Sequence, residues 1–186
     1  MKKLVILMVS VVVLAACGDQ KSDGQYQDEN FDKVEAAAEI EKLESELISP
    51  KNKAINFSAA QNVVKAYRKY ALQLPLDPAT PDYLFKAADV EMGLQNYRKA
   101  EDLFKRVYDN YPNYEKRVMS LYLVAFVNDN HLNQKGKAKE IYEQLIERHS
   151  EDKLAQDAIA ALDILTLSDD ELIDFLKQKN QDTLTQ

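Results

Sequence analysis

The sequence predicts an all-α fold of about four antiparallel helical hairpins, stacked in one array over residues 31–180. Three observations predict it. Prolines and glycines are sparse, five and four in 186 residues, and the β-branched alternation of strands is missing. Helix-start signals recur instead, separated by connections of a few residues, which make consecutive helices antiparallel. An apolar pattern also returns at intervals of 37 and 38 residues, as stacked repeats require.

Residues 1–17, MKKLVILMVSVVVLAAC, read as an address rather than as part of the fold. Lys2 and Lys3 form a positive n-region, followed by the mostly aliphatic run from Leu4 to Leu14. That run is too short for a bilayer span, which needs about 20 residues, and suits a signal peptide. The next four residues, Leu14-Ala15-Ala16-Cys17, resemble the lipobox of bacterial lipoproteins. The resemblance implies removal of residues 1–16, lipid on the Cys17 thiol and usually acylation of the new amino terminus. One acyl chain binds a membrane marginally, and two or more anchor it stably. Gly18 is not the Asp that retains lipoproteins at the inner membrane in enterobacterial systems, so the resemblance implies the outer membrane. The periplasmic face is favoured, while Asp19, Lys21 and Asp23 leave the cell surface open. Residues 17–30 form the lipidated cysteine and its tether. Positions 18–30 hold one aromatic and no aliphatic residue and cannot offset their ordering entropy.

Eight helices are expected, near 32–48, 57–74, 81–93, 97–111, 115–130, 134–149, 152–165 and 168–179, with a disordered tail at 181–186. Ser58 with Gln61 and Ser168 with Glu171 fit capping boxes, and Thr80-Pro81 fits an N-cap followed by proline. Asn96, Asn113, Asn133 and Ser150 stand where further caps are expected. In the first helix Ala36, Ile40, Leu43 and Leu47 form a seam of about two heptads. Packing against the 57–74 helix is the favoured role, with an oligomeric coiled coil as the alternative. A monomer is favoured, and the oligomeric state stays open.

The repeat is visible when the segments ending at Pro75, Pro112 and Ser150 are superimposed. Eight positions earlier stand Tyr67, Phe104 and Tyr142; four earlier stand Ala71, Tyr108 and Ile146. Twelve earlier come Val63, Ala100 and Ala138. These offsets put one stripe on one helical face, with a small residue where helices cross.

This pattern resembles the tetratricopeptide repeats. Residues 81–114 carry Ala88, Ala100, Phe104 and Pro112 at the family's small, small, aromatic and proline positions, with Tyr97 at a further aromatic site. A second copy runs through Ala125, Ala138, Tyr142 and Ser150, with one extra residue between its alanines and no final proline. The resemblance implies a right-handed α-solenoid in which these residues pack the hairpins and atypical end copies cap the array. Lipobox, tether and repeats together are similar in kind to outer-membrane assembly lipoproteins and to the repeat domain of the Tol-Pal-associated coordinator. In those families the repeats bind proteins and do no chemistry.

Composition narrows the chemistry. The formal charge is −7, and loss of residues 1–16 with their two lysines deepens it, which argues against binding a phosphate backbone. One cysteine excludes an internal disulfide or a Cys-cluster metal site, and Cys17 on a tether lacks the pocket and base a nucleophile needs. His131 and His149 lie 18 residues apart, which is not a metal-ligand spacing. The run Glu39, Glu41, Glu44, Glu46 has no calcium-loop glycine and reads as a solvated face. With only Gly93 and Gly136 beyond the tether, neither a phosphate loop nor a nucleophile elbow can form. No catalytic residue, cofactor or metal is therefore expected.

The remaining candidate surface is the concave face that the resemblance implies, lined by the first helix of each hairpin. Its positions transfer to Asp82, Phe85, Asp89 and Met92, then to Met119, Tyr122 and Phe126. Residues 121–126, LYLVAF, are apolar all round, so part of this set must be core. The expected function is a lipid-anchored, non-catalytic scaffold that binds a protein or peptide of the cell envelope. The alternative is a constitutive structural subunit of an envelope assembly or secretion complex.

Overall fold

A computed structural model describes residues 28–48, 55–168, 170–175 and 177. The address, Cys17, most of the tether and the 181–186 tail lie outside the described residues. Seven helices follow in order: α1 Lys33–Ser45, α2 Phe57–Gln73, α3 Thr80–Gly93, α4 Tyr97–Asn110, α5 Arg117–Asn130, α6 Lys135–Arg148 and α7 Lys153–Leu165. Helical residues resume at 170, where the eighth helix is expected. Among the described residues no strand forms; one isolated bridge pairs Ile48 with Ile55. Each helix packs chiefly on its sequence neighbours, and α5 also reaches α7, so the hairpins stack into an all-α array.

The stripe read from the sequence is the packing seam. Tyr67, Phe104 and Tyr142 are buried, as are Val63, Ala100 and Ala138 twelve positions before each marker. Ala88 and Ala125 are also fully enclosed. Pro112 differs: it is exposed, one residue past the α4 cap Tyr111, and ends that helix without packing in it. On α1, Ile40 is buried, and Ala36 and Leu43, with Leu47 just past the helix end, pack on the same core as α2. That cluster runs from Ile40 to Val124, and a second joins Tyr108 and Leu121 to Ala158 on α7.

Several caps differ from expectation. At Ser168 the capping box forms: its N–H and hydroxyl donate to the Glu171 carboxylate at 2.8 and 2.6 Å. Helix α2 is capped by Asn56 and not by Ser58, because the Asn56 side chain accepts the Ala59 N–H at 3.2 Å. Thr80 lies inside α3, and its hydroxyl donates to the Leu74 carbonyl at 2.6 Å, pinning the loop to α2. Asn96 is the α4 cap residue, yet its amide donates backwards to Glu91 at 2.6 Å. Asn113 and Ser150 lie before the true starts, where Lys116 and Asp152 stand, and Asp152 accepts the Leu154 N–H. At Thr80 and Asn96 a partner outside the first turn of the helix takes the side chain that would have capped it.

The turns within the two central hairpins share one device. After α3, the Asn96 N–H donates to the Glu91 carbonyl and the Gln95 N–H to Met92, a Schellman closure with Gln95 at φ 62°. After α5 the turn is one residue longer: the Gln134 N–H reaches Asn128 and Asn133 takes φ 52°. The extra residue seen between Ala125 and Ala138 is therefore absorbed in this turn. Behind it lies buried Glu101 of α4, whose carboxylate accepts from Asn128 of α5 at 2.9 Å and from Lys137 of α6. One carboxylate thus joins three helices.

Two outcomes are expected in urea denaturation. Glu101→Ala removes two charge-assisted bonds and lowers stability by roughly 2–3 kcal/mol, leaving far-ultraviolet helicity in place. Gln95→Gly relieves left-handed strain at an exposed position and raises stability by about 0.5–1 kcal/mol, net of the entropy glycine adds to the unfolded chain.

Candidate partner-binding face

On α3, Asp82, Phe85, Asp89 and Met92 fall at i, i+3, i+7 and i+10, and on α5 Met119, Tyr122 and Phe126 fall at i, i+3 and i+7. Each set is therefore one stripe along one helix. The structure gives their members different tasks.

Asp82 is the centre of a charged relay across three elements. Its carboxylate accepts from the Tyr114 hydroxyl at 3.0 Å and pairs with Lys86 at 3.2 Å and Lys116 at 3.5 Å. Lys86 also bonds Glu44 of α1 at 3.0 Å, and Glu44 accepts the Tyr67 hydroxyl at 2.6 Å. Burial pushes the Asp82 carboxyl up, but the bonds from Tyr114 and Lys86 outweigh it and hold the group below the usual carboxylate range. Burial likewise opposes the Lys86 charge, and Glu44 and Asp82 together raise it above the ordinary lysine value. Asp89, two stripe positions beyond Asp82, carries a carboxyl raised by burial, with Lys116 opposing.

Phe85 is core. It is 7% exposed, its ring stands edge-on to Phe104 at 5.3 Å, and Lys116 caps its other side at 5.0 Å. It forms the floor of the face and does not project from it. Met92 is half-buried on the same cluster. The α5 stripe is the more accessible one. Met119 is 38% exposed, and Tyr122 and Phe126 are half-buried. Tyr122 rests on Tyr142 at 5.8 Å, and Phe126 meets His131 edge-on at 5.7 Å. Burial raises the Tyr122 phenol, with Asp157 of α7 and Asp129 adding to it, so both carboxylates lie near this ring.

Both histidines have structural partners. His131 caps α5 and stacks flat on Tyr97 at 4.1 Å. His149 is half-buried, with Nε2 3.1 Å from the Tyr108 hydroxyl; burial, then Arg117, lowers its pKa below the ordinary value. Among the described residues no group of three or more His, Cys, Asp or Glu could hold a metal ion. Nor is any described helix long and apolar enough to cross a membrane.

Sequence reasoning missed Glu44, Lys86, Tyr114 and Lys116. Glu44 and Lys86 are 42 residues apart, and no local pattern marks a pair at that distance.

Residues 82–114 and 119–152 match the family model of the tetratricopeptide repeat. These segments fall on the hairpins α3–α4 and α5–α6. The match supports a tetratricopeptide-repeat protein, and such repeats suggest a protein-interaction scaffold. No curated protein matches the chain.

Because Phe85 fills the core, Phe85→Ala is expected to cost roughly 3–4 kcal/mol in urea denaturation. Tyr122→Ala, at a half-buried position, is expected to cost less than half as much, which makes it the cleaner probe of binding.

Proposed function

We propose that the chain is a lipid-anchored, non-catalytic protein-interaction scaffold of the bacterial cell envelope. The observation that carries this reading is the pair of matched hairpins presenting Met119, Tyr122 and Phe126 along α5 with part of their apolar surface open. Methionine and aromatic side chains supply adaptable contact area and are enriched at interface centres. A partner helix or extended peptide would lie along α3 and α5, with Asp89 and Asp129 at its margins. The sole cysteine, at the end of LAAC after an n-region and h-region, supports the anchor; Gly18 supports the outer membrane and leaves its periplasmic face favoured. Tethering raises the effective concentration at the membrane, so modest affinity suffices.

A second reading, a permanent subunit of an envelope assembly or secretion complex, draws on the C-terminal end of the array. There Ile159, Ile164, Ile173 and Phe175 are 37–50% exposed, whereas the free end of a repeat array is ordinarily polar. A salt-stable complex that survives Tyr122→Ala would favour it.

The test is crosslinking in intact cells, membrane fractionation and mass spectrometry, with Cys17→Ser as the unanchored control. A few envelope proteins are expected at high stoichiometry. Capture should fall about tenfold with Tyr122→Ala at unchanged helicity and be lost with Cys17→Ser. No protein capture from a folded, lipidated chain would sink both readings.

A further inference from the structure

The helix connections fall on two opposite edges of the array. Residues 28–32, 74–79, 111–116 and 149–152 precede α1, α3, α5 and α7 on one edge. Residues 94–96, 131–134 and 166–168 follow the same helices on the other. The described chain enters at the first edge. The Asp28 N–H donates to Gln73 Oε1 at 2.9 Å, its carboxylate lies 3.4 Å from Lys69, and Phe31 stands edge-on to Tyr70. These contacts hold residues 28–31 beside the last turn of α2.

Leu76 projects from that same edge. It is 96% exposed, the most exposed large hydrophobic among the described residues. Its loop is stiff: Pro75 and Pro78 flank it, and Asp77 is held by Lys33 at 2.5 Å and by the Ala79 N–H at 2.9 Å. The Tyr111 hydroxyl donates to the Pro75 carbonyl at 3.1 Å, tying this loop to the next one along the edge. Between the two loops lies an open cleft of about 810 Å³, lined by the rings of Pro75, Pro78, Pro81, Tyr111, Pro112 and Tyr114 and, among its charged residues, by Asp77, Arg106 and Glu115. A stiff loop holding an apolar tip fully in water serves no packing purpose within the fold.

We infer that this edge lies against the lipid surface in which Cys17 is anchored, with Leu76 entering the acyl boundary and Tyr111 near the headgroups. The inference rests on the reading of Cys17 as lipidated. Ten residues, 18–27, separate Cys17 from Asp28, and they reach at most about 36 Å. Leu76 is three residues from Gln73, which binds Asp28, so it stays within roughly 10 Å of backbone from the point of attachment. A single leucine does not hold a free protein on a membrane, but a tethered one meets the surface continually. Tyrosine with an apolar body and a polar hydroxyl suits the interface beside it. Helices α1 to α7 then stand upright on the membrane, and the α3–α5 face opens sideways along it.

The chain has no tryptophan, so single reporters can be placed at will. Asn113→Trp puts one on the proposed edge beside the cleft, and Phe57→Trp puts one on the opposite edge, at a residue 66% exposed. The lipidated full-length protein is reconstituted in phosphatidylcholine–phosphatidylglycerol vesicles with brominated acyl chains, and flotation reads anchoring separately. The expected result is that the Asn113→Trp protein floats and is quenched at least about twofold more than the Phe57→Trp protein. Adding Leu76→Ser to the Asn113→Trp chain should remove most of that difference. Equal quenching of both reporters, or quenching indifferent to Leu76→Ser, in a protein that floats overturns the inference and leaves the anchor standing. A protein that does not float overturns the anchor and the inference together.

Discussion

The fold depends on aromatic side chains that interlock both between neighbouring hairpins and within them. Tyr67 and Tyr70 of α2 are closed by Tyr83 of α3, at 5.5 and 4.8 Å, and Phe104 of α4 by Phe85 of α3. Tyr142 of α6 is covered by Tyr122, and Tyr108 of α4 by His149 beyond α6. Fully enclosed alanines, Ala88, Ala100, Ala125 and Ala138, let the helices approach closely enough for these rings to interlock. Stability in such an array is a sum of hairpins and their interfaces, so no single hairpin would persist alone.

The polar interior follows the same rule. Glu91 and Glu101 are buried carboxylates, and each is matched by an amide and a lysine: Asn96 and Lys99 for one, Asn128 and Lys137 for the other. Among the described residues no buried side-chain nitrogen or oxygen lacks a hydrogen-bond partner. Satisfied charges of this kind add register where apolar packing tolerates sliding, because a slipped helix would leave a carboxylate unpaired. The Glu44–Lys86–Asp82–Lys116 relay does so on the first-helix side, linking α1, α3 and the entry to α5.

These two networks separate the candidate partner face from the residues that support it. Phe85 and Asp82, occupied by internal partners, shape the face, while Met119, Tyr122 and Phe126 remain partly open to a partner. Leu76 and the proline cleft belong to a different edge and have no counterpart inside the fold.

Local sequence determined what local physics controls. The 37- and 38-residue spacing of Tyr67, Phe104 and Tyr142 marks the seam, because helical periodicity and side-chain size are written along the chain. The Ser168–Glu171 box was legible for the same reason: donor and acceptor are three residues apart. The repeat pattern also located Ala88, Ala100, Ala125 and Ala138 at the helix contacts. Tertiary structure decided the rest. It turned Thr80 from a cap into a link to Leu74, drew Phe85 from the expected groove into the core, and buried Glu101 between three helices. It also left Leu76 bare on the edge where Asp28 binds Gln73. These outcomes depend on which residues meet across tens of positions in sequence, and the energy of a pair is set by its burial and its partner, neither of which one strand of sequence records.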